Sequence, residues 1–440
     1  MSDFKPTEKF AKSLDLHDPL AKYRKLFHIP KFKSHDCLYF AGNSLGLQPN
    51  KTQTYIEQEL KDWASLGVEG HFHAKNPWYP YHESLTLMTA NLVGAKSNEV
   101  VNMNSLTVNL HLMLVSFYRP TRERSKILIE KGAFPSDHYA VNSQAKFHGH
   151  DPSHTVLEIS PRSGEHTIRK EDLLSLIEKE GRSIALILLG NVNYLTGQAF
   201  DLRAISEAGH AHGCFVGFDL AHGAGNLEMH LHDWDVDFAV WCSYKYLNAG
   251  PGGIAGCFVH ERHGLGKTLP RFEGWWGHNK IKRFEMAPVF DPIAGAEAWQ
   301  LSNPPIFQMA ALRASLEIFE AAGMSAIREK SVQLTGYLEF LLEHFLGDSI
   351  ALVTPRDPEQ RGAHLSYQIS GKINGQISGK LDGGIKGGFA GKSLVEELKS
   401  KGIHCDFREP DILRVAPVPL YNSYNDVFLF AKELAAIVKG

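Results

Sequence analysis

The chain has 440 residues, carries 46 Lys+Arg against 49 Asp+Glu for a formal net charge of −3, and is 43% hydrophobic. That much apolar material fills a large core and excludes disordered and fibrous classes, while the near balance of charge gives no basic field for nucleic acid or anionic lipid. Glycine is in excess, 39 residues in all, so parts of the chain need tight turns or close backbone approach.

The N-terminal stretch MSDFKPTEKFAKSLDLHDPLAKY alternates charges with single apolar residues. It has neither the apolar centre of a secretory signal nor the acid-poor, Arg-rich character of a transit peptide. No run approaches the length of a membrane span. The five cysteines, an odd number without a CxxC pair, suit a reducing compartment better than a disulfide frame. A soluble, cytoplasmic protein with no membrane or nucleic-acid partner is expected.

Residues 53–65 (QTYIEQELKDWAS) have helical spacing, with Tyr55, Ile56, Leu60 and Trp63 on one side. From about 81 to 260, short apolar runs alternate with amphipathic stretches. Candidate strands are KILIE (126–130), SIALILL (183–189), CFVGFDL (214–220), FAVWCS (238–243) and GCFVH (256–260); EDLLSLIEKEG and LRAISEAGHAHG lie between them as helices. Continuous apolar strands alternating with helices indicate a mostly parallel sheet covered on both faces. Two long helices follow Pro304-Pro305, over about 306–321 and 329–346. The last third, with HLSYQI, SLVEELKSKG, ILRVAPV and a helix to 439, reads as a small α+β unit. Between 371 and 391 a Gly/Lys-rich stretch reads as a loop or a lengthened hairpin.

Chemistry concentrates in CFVGFDLAHGAGN and DFAVWCSYKYLNAGPGGIAG. Asp219 ends one apolar strand, and Lys245 is placed at the end of the next, ahead of a glycine-rich turn. Strand ends of a parallel sheet open into one crevice. An aspartate and a lysine there suit pyridoxal 5'-phosphate: the lysine bonds the cofactor covalently and the aspartate keeps the pyridine nitrogen protonated. His222 would support that aspartate, and Tyr244 offers a phenol for phosphate binding or proton transfer. Taken singly, such an aspartate is more often a cap and such a lysine is usually solvated; their combination with a Ser-Tyr-Lys run and a glycine loop favours the cofactor. Upstream, Ser105, Leu106 and Thr107 open a helix whose N–H groups could hold phosphate, an ordinary cap being the competing reading. In KGAFPSDHYA, Phe134 could stack on a pyridine ring, and Ser136 and Asp137 open the next helix, where plain capping competes again.

Taken together, YFAGNSLGLQP (39–49), LTVNLHLML (106–114), AFPSDHYA (133–140), GFDLAHGAGN (217–226), WDVDFAVWCSYKYLNAGPGGIAG (234–256), GWWGH (274–278), SNPPI (302–306) and RVAPVPLYNS (414–423) resemble the kynureninases. The matches run in order over nearly the whole chain. The resemblance implies a pyridoxal-phosphate-dependent, aminotransferase-like fold of type I: an α/β protein with a large domain around a mostly parallel, mixed seven-stranded sheet, and a small α+β domain. The expected boundaries are 50–320 for the large domain and 1–49 with 321–440 for the small one. It further implies hydrolytic cleavage of the Cβ–Cγ bond of L-kynurenine or 3-hydroxy-L-kynurenine to an anthranilate and L-alanine, in tryptophan catabolism or NAD biosynthesis.

By the same resemblance Lys245 would carry the cofactor and Asp219, backed by His222, would pair with its ring nitrogen. Phe134 would stack on the ring, with Asp137 hydrogen-bonding nearby, while Leu106, Thr107, Pro135, Ser136, Tyr244 and Trp275 would surround the ring and phosphate. Trp275 and Asn303 would reach in from the neighbouring subunit of a homodimer whose active site lies at the interface. Arg414 would clamp the substrate α-carboxylate, a task suited to a planar fork. Ser44, His71 and Asn303 would line the aromatic end of the substrate. Lys245 would remove the α-proton and Tyr244 would handle protons at Cβ or the carbonyl, with His71 or Asn303 donating to the γ-oxygen. No metal is implied. The pattern at His71 and Ser302-Asn303 resembles relatives that favour the 3-hydroxy substrate.

Three departures stand out. Gly190 occupies a place where relatives often have a small hydroxyl residue, Trp276 one where a smaller aromatic is common, and the 371–391 stretch is unusually long and irregular. The nearest rival is another lyase of the same fold, a cysteine desulfurase or selenocysteine lyase, which needs a reactive thiol on a mobile loop. Cys242 and Cys405 lie in strand-like segments instead. A Rossmann dehydrogenase lacks its GxGxxG here, and a non-catalytic scaffold would not need Lys245, Asp219 and Arg414 together.

Overall fold

The computed structural model describes residues 4–264, 269–369, 371–373, 376–378 and 387–439, with the backbone alone over 371–391. Two compact units divide the chain: the described residues of Lys51–Tyr194 and Phe200–Glu320 form the larger, and those of Met1–Asn50, Leu195–Ala199 and Ala321–Gly440 the smaller.

Seven strands make the sheet of the larger unit: β1 (Val100–Asn102), β2 (Lys126–Glu130), β3 (Val156–Ile159), β4 (Ile184–Gly190), β5 (Phe215–Asp219), β6 (Phe238–Trp241) and β7 (Gly256–Val259). Their order is β1-β7-β6-β5-β4-β2-β3. Pairs from β6 through β5, β4 and β2 to β3 are parallel, and β7 runs antiparallel to both β6 and β1. The sheet is therefore mixed and mostly parallel. β4 and β6 are apolar on both faces and buried along nearly their whole length, as strands covered on both sides must be. Leu110, Phe117, Ile127, Leu186, Phe238 and Trp299 belong to the core that packs against it.

Helix α1 (Lys51–Leu66) forms where its periodicity predicts, but the expected apolar side is not the buried one. Thr52, Glu59 and Asp62 are buried, whereas Leu60 and Trp63 are 46% and 58% exposed. The reason is specific bonding: Glu59 accepts from Trp78 Nε1 at 2.9 Å and Asn76 Nδ2 at 2.8 Å, and Asp62 accepts from the Lys75 amide at 3.0 Å. Glycines cluster after β5, at 223 and 225, and after β6, at 250, 252 and 253. Gly250 and Gly252 have φ of 84° and 68° with nothing near a would-be Cβ, so they serve a turn. A Cβ on Gly223 would strike Asn191 at 2.0 Å, which is close packing within the protein.

In the smaller unit a four-stranded antiparallel sheet, β8 (Ile350–Leu352), β9 (Leu365–Ile369), β10 (Asp406–Arg408) and β11 (Ile412–Val415), has the order β8-β9-β11-β10. Helices Glu8–Leu16, Met324–Leu346 and Tyr424–Lys439 pack through residues such as Ala11, Leu338, Phe430 and Leu434 into its core. The N-terminal segment joins by parallel pairing of Leu38–Tyr39 with Ile403–His404. Chain order alone gives no hint that Leu195–Ala199 belongs here, held by a bridge from Gln198 to Arg361. Within the 371–391 stretch, Gly371–Ile373 and Gln376–Ser378 pair as a hairpin and a helix begins at Gly387; residues 374–375 and 379–386 lie outside the described set.

Candidate active site

The carboxyl ends of β2, β4 and β5 lie side by side, because β4 pairs in parallel with both neighbours. They deliver Glu130, Gly190 and Asp219 to one pocket, which is also lined by Leu106, Thr107, Phe134, Ser136, Asp137, Val192, Tyr194, Ala221, His222, Tyr244 and Lys245. Nine of the sequence-derived residues are thus gathered in one cavity, at the strand ends where α/β sheets bind ligands.

Lys245 does not end β6, which stops at Trp241. It stands four residues on, in the turn before the glycines, with Nζ 3.0 Å from His222 Nε2. The ammonium lies 5.8 Å from the Phe134 ring centroid and 6.0 Å from that of Tyr244. Phe134 itself is half exposed, its ring edge-on to Tyr194 at 5.3 Å, so a flat face remains available to a planar ligand.

Asp219 is buried, and its Oδ1 accepts from the Ala221 amide at 2.6 Å. Burial raises its carboxyl above the ordinary range, against the opposing pull of the Ala221 amide and Lys245. Asp137 is raised further: burial acts first, then the charge of Asp219 and a hydrogen bond to it, with Glu130 adding. Glu130 is held at about 7 by burial, with Asp219 adding to the shift and bonds from Asn193 and Gly190 opposing it. Three carboxyl groups around one lysine make a pocket that favours an added positive charge, such as a pyridinium N–H.

Two helices begin at the same pocket, α2 (Leu106–Phe117) and α3 (Pro135–Phe147). Neither N-terminus has a side-chain cap hydrogen bond, which removes the plain capping explanation for Ser105. Thr107 Oγ1 and Ser136 Oγ lie 2.9 Å apart. Two uncapped helix starts and two hydroxyls form an anion cradle. An anion cradle, a buried carboxylate for a ring nitrogen and a lysine in one pocket fit pyridoxal phosphate. Asp137 Oδ1, buried without a hydrogen-bond partner among the described residues, adds an acceptor.

The other residues lie outside this lining. Pro135 opens α3 and is exposed, as is Asn303, and Trp275 is 42% exposed. His71 is partly buried, its ring edge-on to Trp78 at 5.4 Å. Ser44 and Arg414 belong to the smaller unit; Ser44 is exposed, and Arg414 is 1% exposed on β11 in an ion pair with Asp406. Trp276 is a buried ring beneath the Arg283 guanidinium at 4.3 Å. Of the thiols, burial raises Cys242 and pushes Cys405 up to about 12, so neither is a ready nucleophile. Glu130 is the functional candidate that sequence reading missed. Its signal was present, since it ends KILIE as Asp219 ends CFVGFD.

Residues 38–382 match the aminotransferase class-V family and residues 389–434 the kynureninase C-terminal domain. A kynureninase of Myxococcus xanthus is 59% identical over 98% of this chain and 97% of its own, and one of Rattus norvegicus is 47% identical over 98% and 93%. Among solved structures, a C-DES mutant with glycine covalently linked to its PLP cofactor superposes with a TM-score of 0.74 over 91% of this chain and 97% of its own, at 17% identity; that likeness concerns the fold.

Proposed function

The chain belongs to the kynureninase family within the class-V aminotransferases, and from that premise we propose how its residues divide the work of cleaving kynurenine. The enzyme is a pyridoxal-phosphate-dependent hydrolase that cleaves the Cβ–Cγ bond of L-kynurenine or its 3-hydroxy form, releasing an anthranilate and L-alanine. The observation that carries the assignment of roles is the single pocket joining Lys245, Asp219 and the two helix N-termini.

Lys245 would hold the cofactor, Asp219 its ring nitrogen, Phe134 its ring, and Thr107, Ser136 and the α2 and α3 N–H groups its phosphate. Bound there, the cofactor supplies an electron sink for the substrate α-carbon. Arg414 binds the α-carboxylate. Once the substrate amine has displaced it, Lys245 Nζ takes the α-proton, a role its contact with His222 supports by fixing the amine. Water adds at the γ-carbonyl, where His71 or Asn303 donates to the developing oxyanion. Tyr244, whose phenol burial raises and so keeps protonated, returns a proton to Cβ as the anthranilate leaves.

The working form is a homodimer. Leu60 and Trp63 on α1, with Phe307 6.2 Å from Trp63, and the exposed Ile281, Phe284, Met286 and Val289 offer apolar surface on the larger unit for a partner subunit to cover. Trp275 and Asn303, outside the lining of their own pocket, serve the partner's pocket. No helix among the described residues is long and apolar enough to cross a membrane, and five free cysteines suit the cytoplasm. His71 and Ser302-Asn303 favour the 3-hydroxy substrate.

The test is turnover. Purified protein supplied with pyridoxal phosphate should release a fluorescent anthranilate and alanine in equal amounts, with higher kcat/KM on 3-hydroxykynurenine. Sulfide release from cysteine without kynurenine turnover would transfer the enzyme to the desulfurases.

A further inference from the structure

Gly190 removes a side chain from the middle of the three strand ends that floor the pocket, and Glu130 fills the space. A Cβ built on Gly190 would lie 3.1 Å from Glu130 Oε1. The other oxygen, Oε2, accepts from Asn193 Nδ2 at 3.2 Å, so the carboxyl is fixed from one side and laid across Gly190 on the other. Glu130 is 3% exposed, yet it lines the pocket. It has no cation partner of its own there: Lys245 lies against His222. A buried carboxyl without a countercharge keeps its proton and acts as a donor, and burial does hold Glu130 at about 7.

We propose that Glu130 is a further cofactor-binding residue, a carboxylic acid that donates its hydrogen bond to the phenolic oxygen of the pyridoxal ring. This rests on the cofactor assignment above. The choice of atom follows by elimination. Asp219 serves the ring nitrogen, the α2 and α3 N-termini the phosphate and Lys245 the carbonyl carbon; the phenolic oxygen is the remaining polar ring atom, which Glu130 would approach beside His222, itself 3.0 Å from Lys245 Nζ. That oxygen carries negative charge, so only the protonated acid can approach it.

The test compares wild type, Glu130→Gln and Glu130→Leu, first checked by circular dichroism in the cofactor-free state, by titrating pyridoxal phosphate between pH 6 and pH 8.5 and following absorption and protein fluorescence. Asp219, Asp137, His222, Tyr194, Tyr244 and Lys245 share the pocket lining with Glu130 and are common to all three proteins, so differences isolate position 130. Wild type should bind about tenfold more weakly at the alkaline end, as the acid loses its proton. Gln, a permanent donor, should lose that extra pH dependence. Leu should bind about tenfold more weakly than wild type at pH 6, with its visible band shifted. Identical pH profiles for wild type and Gln would overturn the proposal, and Gln alone decides it should Leu fail to fold. A wild type that takes up no pyridoxal phosphate would instead defeat the cofactor assignment on which the proposal rests.

Discussion

Glu297 offers the clearest measure of how electrostatics hold the Trp275 segment. Its Oε2 lies 2.7 Å from Lys280 Nζ and 3.5 Å from His82 Nε2, and Lys280 also reaches Glu83 at 2.7 Å. Burial alone would raise the Glu297 carboxyl; His82 and Lys280 overcome it and hold the group at about 2 instead of 4.5. A carboxyl depressed that far contributes about 3 kcal/mol to stability. The sign is that of a lowered acid. The contribution is complete above pH 4.5 and disappears as the pH falls through the folded value near 2. Glu297→Gln keeps the shape and removes the charge, so it should cost about 3 kcal/mol at pH 7 and progressively less toward pH 3. Urea unfolding of the cofactor-free protein at pH 7, 5, 4 and 3 reads the difference directly. A gap independent of pH would show that packing, not charge, binds Glu297 to this segment. A gap below about 0.5 kcal/mol at pH 7 would refute the electrostatic reasoning altogether.

Lys245→Ala should abolish the visible band of the bound cofactor and all turnover; a retained band would remove Lys245 from the covalent role. Arg414→Ala should raise KM on the order of 50-fold while changing kcat less, as expected for loss of a charged fork on a carboxylate, and an unchanged KM would sink the assignment. Gly217→Ala sets a Cβ 2.1 Å from the Phe238 ring, between β5 and β6, and should cost about 1–3 kcal/mol in thermal unfolding while weakening cofactor retention through Asp219. Unchanged melting would mean that the two strands can part without cost.

Local pattern made most of the fold legible. The strands KILIE, IALILL, FVGFD, FAVW and GCFV all form, because runs apolar on both faces have no stable place except inside a covered sheet. The short strand Val156–Ile159, partly exposed, lacked that signature. Asp219 and the two helix starts were legible for a related reason, since strand ends and helix N-termini are positions where chemistry gathers in such folds, whereas Lys245 stands in the turn four residues beyond its strand.

Other features depended on which segments meet. α1 buries Glu59 and Asp62 instead of Leu60 and Trp63, because distant donors at 75–78 satisfy the carboxylates, a pairing that periodicity does not contain. Arg414 read as a substrate clamp without its ion partner Asp406, which reaches it only by antiparallel register across β10 and β11. Glu130 and Gly190 are 60 residues apart in the sequence, and only the pairing of β2 with β4 lays one across the other. The sequence by itself determined the sheet and the cofactor class, since these follow from residue type and local order, while the reaction came from its resemblance to the kynureninases. Tertiary structure decided which buried acid stands over Gly190 and which face of α1 stays uncovered, because both are set by contacts between segments far apart in the chain.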